Sequence, residues 1–318
     1  MAIPKSFEGK LKLPAVAAPM FLVSTPALVI EACRAGIVGT FPALNQRTSE
    51  GFEQWLDEIQ TALAADNIET PFGVNLIVHR SNPRLQADLA ICVKKKVPLI
   101  ITSLGAVAEL VDAVHAYGGI VFHDVIMLKH AKKAAAAGVD GLIAVSAGAG
   151  GHGGLTNPMA LVQEIRGFYS GTILLSGTIT SGAHIAAAQA MGADLAYLGT
   201  RFVNTQESAA PEDFKDMVIE GNAADVVYTS AVSGVHANFL KQSLENNGFD
   251  MDALTGAGGK ADLKGVGDEA RTWKTVWSAG QGVGGIDDVP STAELCERLK
   301  QEYFEAVEGL SRRSQDFA

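Results

Sequence analysis

Short apolar runs alternate with longer amphipathic stretches through the first two hundred residues of the chain. The runs are Ala15 to Met20, Ile37 to Pro42, Phe72 to Val78, Leu99 to Gly105, Gly119 to Val125, Gly141 to Val145, Thr172 to Gly177 and Leu195 to Phe202. Most are nearly continuous in apolar residues, as parallel strands covered on both faces must be. Between them lie Ala- and Leu-rich segments of helical spacing, among them Phe52 to Ala65, Leu85 to Lys95, Ala106 to Ala116, Leu128 to Ala137, Pro158 to Gly167 and Ala183 to Met191. Eight strands alternating with helices predict an α/β fold of the (β/α)8 TIM barrel kind. A doubly wound sheet is the alternative that periodicity alone leaves open. Glycine turns such as Ala137-Gly138-Val139-Asp140 and Met191-Gly192-Ala193-Asp194 end helices just before a strand, as repeated βα units require.

After Phe202 the rhythm stops. Residues 210–285 hold a helix-like stretch from Pro211 to Gly221, a polar stretch from Ser243 to Asp250 and a glycine-rich one from Thr255 to Gly267. They are expected to form a helical cap over the barrel mouth, with residues 1–209 and 286–318 building the barrel. A last helix, Ser291 to Arg312, is expected to return to the barrel wall.

Composition narrows the function classes. A chain of 318 residues with 47% hydrophobic residues buries a substantial core, as one large or two ordinary domains. A net charge of −10 argues against nucleic acid or an anionic membrane as partner. Cys33, Cys92 and Cys296 are odd in number and far apart, which suits reduced structural thiols in a cytoplasmic protein. Met1 to Lys12 has no apolar core of signal-peptide length, and no run reaches 18 apolar residues, so a soluble protein is expected. No His/Asp/Glu cluster converges in sequence, and no metal is expected.

Candidate chemistry concentrates where barrels place it, at the C-terminal ends of the strands. Ser146 to Gly154 reads Ser-Ala-Gly-Ala-Gly-Gly-His-Gly-Gly, a strand-to-helix loop with one imidazole. Its glycines let backbone N–H groups approach a flat or anionic ligand, which makes His152 the candidate for proton chemistry. Gly148, Gly150 and Gly153 also satisfy a dinucleotide G-x-G-x-x-G spacing. That reading needs an acid at the end of the next strand, and Thr172 to Leu175 leads instead into Ser176-Gly177-Thr178. Gly177 and Thr178, with Gly199 and Thr200, follow the seventh and eighth strands, the usual barrel phosphate site. Asn75 places an amide across the barrel, and Ala18-Pro19-Met20 offers an apolar floor. Together these suit FMN. His123 lies near a strand end and is expected either to face the pocket or to turn away from it. His236 falls in the insertion. Asp124 is expected to cap a helix, with a supporting role behind the site as the alternative.

Six segments then stand in a familiar order: Ala18-Pro19-Met20, Gly73-Val74-Asn75-Leu76, Ala149-Gly150-Gly151-His152-Gly153, Ser176-Gly177, Leu198-Gly199-Thr200-Arg201-Phe202 and Trp277-Ser278-Ala279-Gly280-Gln281. The chain resembles the nitronate monooxygenase family, formerly 2-nitropropane dioxygenases, over essentially its whole length. The resemblance implies non-covalent FMN and oxidation of alkyl nitronates by O2 to a carbonyl compound and nitrite. It implies that Asn75 bonds the flavin ring, that Gly150 and Gly151 pack beside the ring or ribityl chain, and that Gly177, Gly199 and Thr200 hold the phosphate. It further makes His152 the base or substrate-orienting donor and brings Gln281 toward the flavin from the cap. Departures are Val145-Ser146-Ala147-Gly148, where many members carry Gln-Gly and then Glu, Val235-His236-Ala237-Asn238, where an arginine-rich piece is usual, and Thr178 at a common glycine position. The alternative activity is NAD(P)H-dependent reduction of a quinone or enoyl thioester. A flavin-binding protein without catalysis is the remaining class. A homodimer is compatible with the sequence, which leaves the oligomeric state open.

Overall fold

The computed structural model describes residues 2–105, 107–232, 234–255 and 275–318. Eight parallel strands close into a barrel: β1 (Ala15–Ala17), β2 (Val38–Pro42), β3 (Gly73–Ile77), β4 (Leu99–Ser103), β5 (Ile120–Val125), β6 (Gly141–Val145), β8 (Thr172–Ser176) and β9 (Leu195–Leu198). The barrel closes where Ala15 and Ala17 of β1 pair with Ala196 and Leu198 of β9. The strands form where apolar residues run without interruption, and their alternation sorts the side chains into two cores. Val16, Val38, Leu99, Ile101, Phe122, Ile143, Leu174, Leu195 and Tyr197 fill the interior. Their neighbours, such as Ala17, Val74, Leu76, Ile100, Val121, Leu142 and Leu175, face outward against the helices. Phe7, from a 3-10 turn at Lys5–Phe7, joins the interior core edge-on to Phe122 at 6.0 Å.

The helices cover the outer layer: α1 (Pro26–Ala35), α2 (Ser49–Ala65), α3 (Leu85–Lys95), α4 (Ala108–His115), α5 (Leu128–Ala136), α6 (Pro158–Arg166) and α7 (Gly182–Ala190). Their starts are chemically marked. Thr48, Asn157 and Ser181 each accept a first-turn N–H, and Pro158 follows Asn157 at the first helical position. The final helix α12 (Thr292–Ser314) opens with a Ser291/Glu294 capping box and packs on α7 and α1, as the sequence anticipates.

Two details depart from the sequence reading. The eighth barrel strand stops at Leu198, and the apolar residues beyond it belong to one helical turn, α8 (Thr200–Val203). The insertion has helices α9 (Glu212–Glu220), α10 (Lys241–Asn246) and α11 (Met251–Thr255), and it also contains an antiparallel pair, β10 (Val226–Thr229) and β11 (Ala237–Leu240). The free edge of β11 pairs with β7 (Gly151–His152), inside the loop after β6. Of the expected glycine-rich stretch, residues 256–267 lie outside the described residues. Among those described, no helix is long and apolar enough to cross a membrane. No metal-binding group of His, Cys, Asp or Glu occurs among them either. The three cysteines are free and buried, and burial pushes the Cys33 and Cys296 thiols up to about 12. Such thiols pack rather than react.

Candidate active site

Four segments converge at the C-terminal mouth of the barrel: 146–154 after β6, 176–178 after β8, 199–200 after β9, and 277–281 returning from the insertion. They bond directly to one another. Ser146 N–H and Oγ–H both donate to Ser176 O, at 3.0 and 2.7 Å. Gln281 N–H donates to Gly148 O at 2.9 Å, and Gly280 N–H to Thr200 Oγ1 at 2.9 Å. The approach is too close for side chains. A Cβ on Gly280 would lie 2.5 Å from Gly148 O and 2.9 Å from Gly150 N. Thr178 adopts φ +59°, a left-handed conformation that explains why glycine suits this position.

Gly199 differs from these. A Cβ there would first meet Ala18 Cβ at 3.8 Å and Met20 at 3.9 Å, ordinary contacts with the residues expected as an apolar floor. Pro19 and Met20 are half-buried, and Ala18 belongs to the interior core. Leu198 turns its side chain outward and meets this region through its backbone, its carbonyl accepting from Ala18 N–H at 2.8 Å. Arg201 is withdrawn from the mouth. Its guanidinium is buried and donates to Asp288 at 2.6 Å, joining the start of α8 to the segment that follows the insertion.

His152 sits at the seam between barrel and insertion. It is exposed and stands opposite Ala237 in the β7–β11 ladder. Asn238 Nδ2 donates to Ala149 O at 2.6 Å, and Tyr228 Oη–H donates to Gly153 O at 3.0 Å. His236 stacks on Tyr228 with ring centroids 5.0 Å apart. The loop carrying His152 is therefore held on both sides of the histidine by β10 and β11. Neither Asn238 nor Tyr228 was recognisable as a site residue from sequence. The strands that carry them are each four residues long, and the β7 segment that β11 meets is far away along the chain.

Strand alternation settles two further residues. His123 lies between Phe122 and Asp124 and turns outward, away from the mouth, its Nδ1 2.7 Å from Thr102 Oγ1. Burial, reinforced by His130 and Lys133, pushes its pKa down to about 4. Asp124 caps no helix; it faces the barrel interior. Its Oδ2 accepts from Ser103 Oγ at 2.5 Å, and Ser103 Oγ accepts from Asn75 Nδ2 at 2.7 Å. Asn75 Nδ2 also donates to Ile101 O at 3.3 Å, so the amide hydrogens are committed within the protein. Two polar atoms near the mouth are buried without a hydrogen-bond partner among the described residues, Asp124 Oδ1 and Ser278 Oγ.

The family profile described as nitronate monooxygenase matches residues 82–302. A nitronate monooxygenase of Paraburkholderia phytofirmans is 27% identical, over 93% of this chain and 94% of its own. A (3aS,4S,5R,7aS)-5-hydroxy-7a-methyl-1-oxo-octahydro-1H-indene-4-carboxyl-CoA dehydrogenase of Rhodococcus jostii is 29% identical over 74% of this chain; the match spans 64% of that relative's length. The solved nitroalkane oxidase of Streptomyces ansochromogenes superposes with a TM-score of 0.80 at 24% identity, covering 96% of this chain and all of that one (100%). This last likeness concerns the fold.

Proposed function

Because the chain belongs to the nitronate monooxygenase family of flavin-dependent oxidoreductases, we propose that it binds FMN and oxidises alkyl nitronates with O2 to a carbonyl compound and nitrite. The observation that carries this reading is the convergence of four glycine-containing segments beside an imidazole-bearing loop. The donor set suits FMN. Thr178, Thr200, Ser176 and the backbone N–H groups of Gly177 and Gly199 offer phosphate donors without a cation, since Arg201 is committed to Asp288. The absence of a side chain at Gly199, beside Ala18 and Met20, and the unpartnered Ser278 hydroxyl suit a planar ring with polar edges. Asn75 keeps its carbonyl oxygen for that ring, Gly150 and Gly151 pass beside it, and Gln281 approaches from the insertion. Bound FMN supplies the electron transfer between nitronate and oxygen. The protein's own part is to orient substrate and handle the proton. Neutral His152 accepts the α-proton of a nitroalkane, or donates a hydrogen bond to the oxygens of an already anionic nitronate.

A second reading keeps FMN and makes the substrate a coenzyme A thioester or quinone, with NAD(P)H as electron donor. The Rhodococcus relative favours it, because its name describes a carboxyl-CoA substrate. One experiment separates the readings. Purified protein is examined for a flavin spectrum, then mixed anaerobically with propyl-2-nitronate and, separately, with NADH. Bleaching by the nitronate alone supports the first reading. Bleaching by NADH alone supports the second, and a colourless protein that takes up no added FMN removes both.

A further inference from the structure

Asp124 is the only acidic residue in any of the described strands. It lies two residues beyond Phe122, so its side chain enters the same interior that holds Ile143, Leu174 and Tyr197. A chain of hydrogen bonds runs toward it across three adjacent strands. Asn75 donates to Ser103 at 2.7 Å, and Ser103 donates to Asp124 Oδ2 at 2.5 Å. The chain ends on a carboxyl whose other oxygen is buried with no partner. Such an atom in a folded protein calls for an explanation. No cation faces it. The Ser103 hydroxyl is the sole influence opposing burial, which raises the carboxyl pKa to about 6. Tyr197, the titratable group coupled to Asp124 from β9, is pushed well up by burial and stays neutral. Asn75 and Ser103 do not titrate, and the neighbouring His123 points to the other side of the sheet. The group is thus a poised acid within the barrel mouth, unused by the proton chemistry assigned to His152.

We infer that Asp124 is the charge-compensating carboxylate of the site, taking up one proton from solvent when bound FMN is reduced. The inference rests on the FMN reading above. Two electrons and one proton convert the flavin to its hydroquinone anion; a second proton adds to Asp124, and no bond to carbon forms or breaks. A new negative charge in a low-dielectric pocket raises the proton affinity of a nearby carboxylate. A neutral acid beside one anion then replaces two buried like charges. Asp124 acts on the electrostatics of the cofactor, and Ser103 and Asn75 hold it in place.

Infrared difference spectroscopy during mediated electrochemical reduction of the FMN-loaded protein tests this. At about pH 7.5, above the pKa of about 6 that Asp124 has in the flavin-free protein, reduction should produce a protonated-carboxyl band that shifts in D2O. At about pH 5 the acid is already protonated and the band should not grow. Asp124→Asn should abolish the band, and Ser103→Ala should keep it at a displaced frequency. If Asp124→Asn fails to retain FMN, the Ser103→Ala displacement decides. Identical difference spectra in wild type and Asp124→Asn, or no displacement in Ser103→Ala, overturn the inference. A yellow protein without the band overturns this inference alone; a protein that binds no FMN overturns the cofactor reading with it.

Discussion

His152 stands opposite Ala237 in an antiparallel ladder, so the imidazole is held by a strand of the insertion as well as by the barrel loop that carries it. The pairing has only two steps, His152 with Ala237 and Gly151 with Asn238. Side chains alternate along a strand, so a slip of one residue would turn His152 to the opposite face. Barrel and insertion therefore share the candidate site rather than meeting around it.

His152→Ala is expected to retain FMN and lose turnover by about 10²- to 10⁴-fold with neutral nitroalkanes, the usual contribution of an acid–base group. With preformed nitronate the loss should be smaller, because no α-proton needs removal. Steady-state oxygen consumption on both substrate forms measures the difference. Full activity on both would make His152 structural.

Asn238→Ala removes the hydrogen bond to the buried carbonyl of Ala149. A buried acceptor without its donor costs about 1–3 kcal/mol, visible as a lower unfolding midpoint. Freed from β11, the His152 loop should drift, and kcat should fall by about 10- to 100-fold with flavin still bound. Tyr228→Phe, which loses the bond to Gly153 O, should follow in the same direction with a smaller effect. Unchanged kcat in a folded Asn238→Ala protein would uncouple the insertion from the histidine.

Two glycine substitutions should fail in different ways. Gly280→Ala drives a Cβ against the backbone of Gly148 and Gly150 and should destabilise the protein itself by about 1–3 kcal/mol. Gly199, at φ −104° with only ordinary contacts at 3.8 and 3.9 Å, should accept a side chain in the absence of ligand. Gly199→Glu should then fold normally and purify colourless, its carboxylate repelling the phosphate. Thermal unfolding and the flavin spectrum, read together, separate the two; a yellow Gly199→Glu protein would place the phosphate elsewhere.

Adjacent residues on β5 should impose opposite pH dependences on stability. His123 has a folded pKa of about 4 against 6.5 in the unfolded chain, so its contribution is present above pH 6.5 and lost as pH falls through 4. Asp124 has a folded pKa of about 6 against 3.8, so its contribution is present below pH 3.8 and lost as pH rises through 6. Each amounts to something on the order of 3 kcal/mol at the limit. Relative to wild type, unfolding midpoints measured between about pH 4 and pH 7 should rise more with pH in Asp124→Asn and shift toward falling with pH in His123→Gln. Parallel curves for both variants and wild type would refute the assignment.

The barrel was legible because buried parallel strands need unbroken apolar runs, and β6 and α3 fall where Gly141 to Val145 and Leu85 to Lys95 predict. The same signal failed after Leu198. Apolar residues such as Phe202 and Val203 are buried equally well by a helical turn, and a short run carries no period to distinguish the two. At the mouth, the glycine loops and Asn75 were visible as residue types in context. The direction of Asp124 and His123 stayed open because a polar residue in an apolar strand shows its direction only once alternation is anchored, here by Phe122. Strands β10 and β11 left almost no trace, since each is only four residues long and a run that short carries too little alternation to mark a strand.

The pairing of β11 with the remote β7 has a kinetic meaning. Asn238 and Ala149 are 89 residues apart, and β8 and β9 lie between them in sequence. Contacts of such separation carry a loop-closure cost that local βα units do not, and they form slowly unless intervening structure has already shortened the loop. The ladder beside His152 is thus expected to form after the local βα units that lie between its two halves. On refolding, helical signal should return before the capacity to hold flavin, with the interval between them timing the arrival of β11.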